Sequence, residues 1–229
     1  PCLIVGALAL SSLSAEGDRA PAQTSQHANA VGRLLRTVAR ELADPADQAA
    51  IEQLIAAFEA QGTCPDTGDW ILLTFGRTGA LEAVAVNAAS LLAAPKLIQR
   101  AVILHELEHI KRAAQTRRFL DAPAAPVTSG RASSANASRR ASHHRAPDAA
   151  RLQHIVRGLV DDEARAYARD IRYVEGIVSA HGGLAAYLAT LPMSQRLPVS
   201  QYYQRSIQPF VDQEGNINER QLRRDRRLR

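Results

Sequence analysis

Ala101-Val102-Ile103-Leu104-His105-Glu106-Leu107-Glu108-His109-Ile110 is the stretch on which the fold of this 229-residue chain turns. It contains H-E-x-x-H within an apolar run of helical spacing. Ile98, Val102, His105 and His109 fall on one stripe, and Ile103, Leu104, Leu107 and Ile110 make the other faces apolar as well. A helix that is apolar nearly all round is buried. The histidines and glutamates it carries then need partners, because unpaired buried polar groups are costly. With about 3.6 residues per turn, His105 and His109 project from the same face. Two imidazoles at that spacing can bind one zinc ion. Glu106, beside the first of them, is placed to act as general base toward a water molecule. Glu108 occupies a variable position of the motif and is expected to make a structural hydrogen bond or salt bridge.

The upstream sequence predicts a small layered domain. A helix is expected over about 28–43, with Val31, Leu34, Leu35, Val38 and Leu42 at helical spacing. Asp44-Pro45 reads as an N-cap followed by proline at the first helical position. The helix it opens carries Ile51, Leu54, Ile55 and Phe58, and Gly62 closes it. Trp70 to Phe75 and Leu81 to Asn87 read as two strands joined by Gly76-Arg77-Thr78-Gly79, an antiparallel hairpin. Pro95 then opens the motif helix.

Downstream, the composition changes. Residues 119–150 are rich in Ala, Ser, Arg and Pro with no period, and read as a low-complexity insertion. His143-His144 lies inside it and is expected to be solvent-exposed. Regular structure resumes near Arg151, where Leu152, Val156, Leu159, Glu163, Tyr167, Asp170 and Val174 share a stripe. Glu163 interrupts an otherwise apolar face, where a charge rarely sits unless paired or metal-bound. It is therefore the leading candidate for a third ligand, with Asp161 and Asp162 as adjacent competitors. His181-Gly182-Gly183 breaks the helix, Leu184 to Leu191 forms a short one, and the remainder is expected to be loosely ordered.

A catalytic zinc site uses three protein ligands and one open position. The longer motif H-E-x-x-H-x-x-G-x-x-H fails here, since Arg112 stands at the glycine and Gln115 at the third histidine. Glu163-Ala164-Arg165-Ala166 reads E-x-x-A on a downstream helix. With the strand pair, Pro95 and the apolar entry into the motif, residues 68–175 resemble the gluzincins, zinc peptidases with H-E-x-x-H followed by a helix-borne glutamate. The resemblance implies His105, His109 and Glu163 as zinc ligands, Glu106 as general base, and a peptide or protein substrate. It also implies a donor for the oxyanion, for which Tyr167, one turn after Glu163, is the first choice. His154, His181, Tyr202 and Tyr203 remain alternatives. The expected fold is α+β and mostly helical: a zincin-like domain whose small antiparallel sheet packs on the H-E-x-x-H helix, with a second ligand-bearing helix.

The domain organisation follows. Residues 1–15 form a short apolar run ending in small residues and resemble the end of a secretory signal peptide, so export to the periplasm or outside the cell is expected. Residues 16–26 are a flexible lead, 27–200 the catalytic domain with its insertion, and 201–229 an extension with an Arg-rich tail. If cleavage falls near Ala15, Cys64 is the one cysteine left, which excludes an intrachain disulfide. The net charge of +5 is uneven: residues 113–150 and 216–229 each carry +4, leaving −3 for the rest. The Arg-rich segments offer a weak contact for an anionic surface or nucleic acid, an alternative role to catalysis; the other alternative is a non-catalytic zinc-binding or cell-envelope interaction protein on a zincin fold. No Gly-rich phosphate loop is present, so no nucleotide or dinucleotide cofactor is expected.

Overall fold

The computed structural model describes residues 3–5, 21–62, 64, 70–121, 149–212 and 214–225. The chain opens with strand β1 (Leu3–Val5), then helices α1 (Pro21–Glu41) and α2 (Pro45–Gln61). The start of α2 obeys its sequence: the Asp44 carboxylate accepts from the Ala46 N–H at 3.0 Å and Pro45 fills the first turn. Gly62 closes the helix by donating its N–H to the Phe58 carbonyl at 2.7 Å.

Strands β2 (Ile71–Phe75) and β3 (Leu81–Val86) form the expected hairpin, with Ile71 opposite Val86 and Leu73 opposite Val84. Alternate residues Ile71, Leu73 and Phe75 face the core, the period-2 pattern of a sheet covered on one side. β1 adds to the free side of β2 as a short antiparallel edge, with Leu3 opposite Phe75 and Val5 opposite Leu73. Three of the residues expected in a signal peptide thus pair with the sheet. The residues expected as a flexible lead overlap the start of α1, which begins at Pro21 rather than near 28.

A short helix that the sequence reading left out, α3 (Ala88–Ala93), follows the sheet and is capped by Asn87, whose side chain accepts from the Ser90 N–H at 3.1 Å. Next come α4 (Lys96–Asp121) and α5 (Ala149–Ala180), which run antiparallel: Asp162 lies beside His109 and Asp170 beside His105. The low-complexity insertion, with His143 and His144, lies mostly outside the described residues. Its first residues, Phe119 to Asp121, complete α4.

Helix α4 sits between two cores. On one side Ile103, Leu107 and Ile110 pack with α1, α2 and the sheet, around Leu35, Ile51, Leu54, Leu73 and Val84. On the other, Leu97, Ile98 and Ala101 pack with α5 at Ala164, Ala168 and Ile171. This double burial is why the motif helix is apolar nearly all round. The hairpin turn is pressed onto α4: Gly79 has φ +84°, and a Cβ there would lie 2.7 Å from the Ala114 backbone. Glycine is required at this position by both conformation and space.

The C-terminal part is more ordered than its composition suggests. Helices α6 (Leu184–Thr190) and α7 (Met193–Tyr202) lead into a π turn (Tyr203–Ile207) and a 3-10 turn (Gln208–Phe210), and α8 (Glu219–Arg224) closes the fold. Ile207, Phe210 and Leu222, the last 1% exposed, join the second core against α5. The expectation of loose order fails because Ile207 and Phe210 sit in single turns and Leu222 in a six-residue helix, each too short to show a sustained period. Among the described residues no helix is long and apolar enough to cross a membrane. The described fold is mostly helical with a small antiparallel sheet, as its pattern implied.

Candidate metal centre

Helix α4 supplies His105 and His109 one turn apart, and α5 supplies Glu163 opposite them. Glu163 Oε1 lies 3.4 Å from His105 Nε2, and Oε2 lies 3.3 Å from His109 Nε2. The two Nε2 atoms are 3.2 Å apart. Among the described residues, this trio is the one group of histidine, cysteine or carboxylate side chains whose ligand atoms converge in this way, all within 4.8 Å.

The other nitrogen of each ring is already used. His109 Nδ1 is 2.8 Å from Asp162 Oδ2, and His105 Nδ1 is 3.2 Å from Asp170 Oδ2. A carboxylate accepts, so each Nδ1 carries its hydrogen and donates. In a neutral imidazole that leaves Nε2 with the lone pair. Three electron-rich groups therefore face one another in a partly buried space. Their mutual repulsion is relieved only by a cation between them or by extra protons on the rings. The donor set, two imidazoles and one carboxylate, suits zinc. Carboxylates behind both histidines are the outer support that metal-binding histidines usually have.

The proton affinities tell the same story about charge. Burial disfavours a charged imidazole, yet the Asp170 charge and the Asp170 and Glu163 hydrogen bonds lift His105 well above its ordinary range. His109 is raised to about 9, with burial again opposing and Asp162 and Glu163 more than compensating. Glu163 is held far below the usual carboxylate range: burial works against this, but hydrogen bonds from both imidazoles overcome it. In each case the partner carboxylates favour positive charge on the imidazoles, and the imidazoles favour the ionised Glu163.

Glu106 is partly buried beside the trio. Desolvation lifts its carboxyl to about 6, with the charges of His105 and His109 opposing. A carboxylate perturbed toward neutrality is suited to taking and returning a proton.

The other sequence candidates separate cleanly. Asp162 does not compete with Glu163 for the centre, because one oxygen accepts from His109 and the other from Arg112 Nε at 3.2 Å and Thr116 Oγ1 at 3.0 Å. Asp161 faces away and pairs with Arg223 at 3.0 Å. Arg112, which breaks the three-histidine motif, thus braces the residue that orients His109. Neither Arg112 nor Thr116 was singled out from sequence for this role. Their signal lies in the i+3 and i+7 positions after His109, which share its face. Glu108 takes the structural role expected of it, pairing with Lys111 at 2.9 Å and Arg169 at 3.2 Å. Both cations also reach Asp47 of α2.

Tyr167 packs edge-on against His105, with ring centroids 4.9 Å apart. The alternatives to it are placed differently. His154 stacks on Phe119 and meets its carbonyl at 3.1 Å. His181 caps α5 through the Ile177 carbonyl. Tyr203 donates to Glu175 at 2.7 Å. Tyr202 is partly buried, and desolvation with the nearby Asp170 and Tyr167 charges raises its hydroxyl far above the ordinary range. No protein-family model matches the chain, and no curated protein or solved structure matches it either.

Proposed function

We propose that the protein is an exported, zinc-dependent peptidase of the gluzincin type, with a zincin-like arrangement of α4, α5 and the small sheet. The observation that carries the reading is the convergence of His105 Nε2, His109 Nε2 and the Glu163 carboxylate while both Nδ1 atoms are tied to carboxylates. Coincident core histidines would not need Glu106 beside them.

Zinc held by these three residues would acidify a water and polarise a peptide carbonyl. Glu106 accepts the proton of the attacking water and delivers it to the leaving amine. Its raised affinity for a proton, from burial, matches that double duty. Asp162 and Asp170 keep the two imidazoles in one tautomer and one orientation. Tyr167, packed edge-on against the ring of His105, is the candidate for donating a hydrogen bond to the oxyanion. The substrate is a peptide or protein.

The test is hydrolysis of a mixed peptide library, read by mass spectrometry, with wild type and Glu106→Gln. Cleavage by wild type and none by Glu106→Gln is expected. Zinc bound stoichiometrically with no cleavage of any peptide by wild type would overturn the peptidase reading.

A further inference from the structure

Helix α4 begins beside a pocket that the metal centre does not use. The pocket encloses about 210 Å³ and is walled by Leu97, Ile177 and Leu191 together with Tyr173 and Tyr187. Lys96 and Arg100 bring two cations to its lining. On a helix of about 3.6 residues per turn, these two stand about 180° and 140° around α4 from His105. No lining residue belongs to the trio of His105, His109 and Glu163.

The charge of this pocket is positive. Lys96 has no ion-pair partner among the described residues, and Arg100 is shared between Glu41 of α1 and the Tyr173 hydroxyl. Two cations against one carboxylate leave a surplus of one positive charge, and among the described residues no carboxylate lines the pocket itself. Residues 176–211, which supply Ile177, Tyr187 and Leu191, contain no Asp or Glu. The backbone N–H groups of Lys96 and Leu97 open α4 without an acceptor among the described residues, because the Pro95 carbonyl bonds Ile98 and Gln99 instead. Free donors at the positive end of a long helix favour an anion. Tyr187 points to a ligand independently. It is only 9% exposed and lines the pocket, yet among the described residues its hydroxyl has no hydrogen-bond partner. A hydroxyl withdrawn from water and left unpaired is costly, and an acceptor bound in the pocket removes that cost.

We infer that this pocket binds a small apolar carboxylate, its charged end at the start of α4 between Lys96, Arg100 and the Tyr187 hydroxyl, and its apolar body against Leu97, Ile177 and Leu191. The volume is below the roughly 300–1,000 Å³ of a site for drug-sized ligands, so the occupant is about the size of one amino-acid residue. Two sources carry that chemistry: a free carboxylic acid with an apolar body, and the C-terminal residue of a polypeptide. The inference stands apart from the peptidase reading, because it uses neither zinc nor Glu106.

The test titrates N-acetyl-leucine, its uncharged amide, and N-acetyl-alanyl-alanyl-leucine with a free carboxylate into the full chain by isothermal titration calorimetry. Lys96→Gln, Tyr187→Phe and Glu163→Ala are titrated alongside, after circular dichroism has shown each to be folded. Lys96 is exposed, and Tyr187→Phe removes the hydroxyl alone. N-acetyl-leucine is expected to bind saturably to wild type and equally to Glu163→Ala. The amide should bind at least about tenfold more weakly, and each of Lys96→Gln and Tyr187→Phe should weaken the acid by about tenfold, as loss of one hydrogen bond to a charged group does. Tighter binding of the peptide supports the inference with polypeptide C-termini as the source, and tighter binding of the free acid supports it with small acids. No saturable binding of either carboxylate, equal binding of acid and amide, or wild-type affinity in both Lys96→Gln and Tyr187→Phe would overturn it. Binding lost in Glu163→Ala but kept in both pocket variants would place the carboxylate at the metal centre and overturn it equally.

Discussion

Replacing Asp162 by Ala removes the acceptor for His109 Nδ1, and its effect can be sized from the geometry. The hydrogen bond is 2.8 Å long and His109 is 4% exposed, so water has little access to replace the lost oxygen. The ring keeps its place in the core but loses the contact that fixes its tautomer and tilt. Removing such a partner costs about 10- to 100-fold in metal affinity, or about 1.4 to 2.7 kcal/mol. Asp162 also gathers Arg112 and Thr116, so the loss should fall toward the upper end. Asp162→Asn retains an oxygen that can accept from Nδ1 and should lose less. Asp161→Ala is the control: Asp161 is half-exposed and pairs with Arg223, so its loss should leave zinc binding unchanged. The assay is competition for zinc against a chromophoric chelator, on protein shown by circular dichroism to be folded. Wild-type affinity in Asp162→Ala, or an equal loss in Asp161→Ala, would refute the reasoning.

Three further outcomes are expected. Tyr167→Phe should leave zinc affinity intact and lower kcat by about 100-fold, as loss of one oxyanion donor does; steady-state kinetics with unchanged kcat would remove Tyr167 from the chemistry. Gly79→Ala places a Cβ 2.7 Å from the Ala114 backbone at a φ of +84°, and should lower stability by about 2 kcal/mol or more, read as a lower midpoint in urea. Burial pushes the Asp47 carboxyl up, but hydrogen bonds from Arg169 and Lys111 more than offset it and hold it below its ordinary value of 3.8. Its contribution is thus present above about pH 4 and is lost as pH falls through the lowered folded value. Asp47→Asn should flatten this acid limb in a series of thermal melts, and an unchanged limb would count against the ion network of Asp47, Lys111, Glu108 and Arg169.

Much of this architecture was legible in the sequence because it obeys short-range rules. Asp44-Pro45 opens α2 through a cap and a fixed φ, and Ile71, Leu73 and Phe75 alternate as a half-buried strand must. The motif helix announced its burial by being apolar on every side, which the two cores around Ile103 and Ala101 explain. Glu163 stood out as a charge on an apolar stripe, and it meets both imidazoles. What sequence could not supply is the register between α4 and α5. Only that register turns Asp162 from a rival ligand into the partner of His109, gives Asp170 to His105, and makes Arg112 a brace. The C-terminal segment was illegible for a different reason. Ile207 and Phe210 are buried from single turns and Leu222 from a six-residue helix, elements too short for a sustained period.

The central claim is that His105, His109 and Glu163 hold one zinc ion. Its most direct test is the zinc content per chain of wild type and Glu163→Ala, with X-ray absorption at the zinc edge of the wild type. The account predicts one zinc per chain in an all-nitrogen-and-oxygen shell with two imidazoles, and a large loss of zinc in Glu163→Ala. No zinc in the wild type after loading, or full zinc in Glu163→Ala, would contradict it.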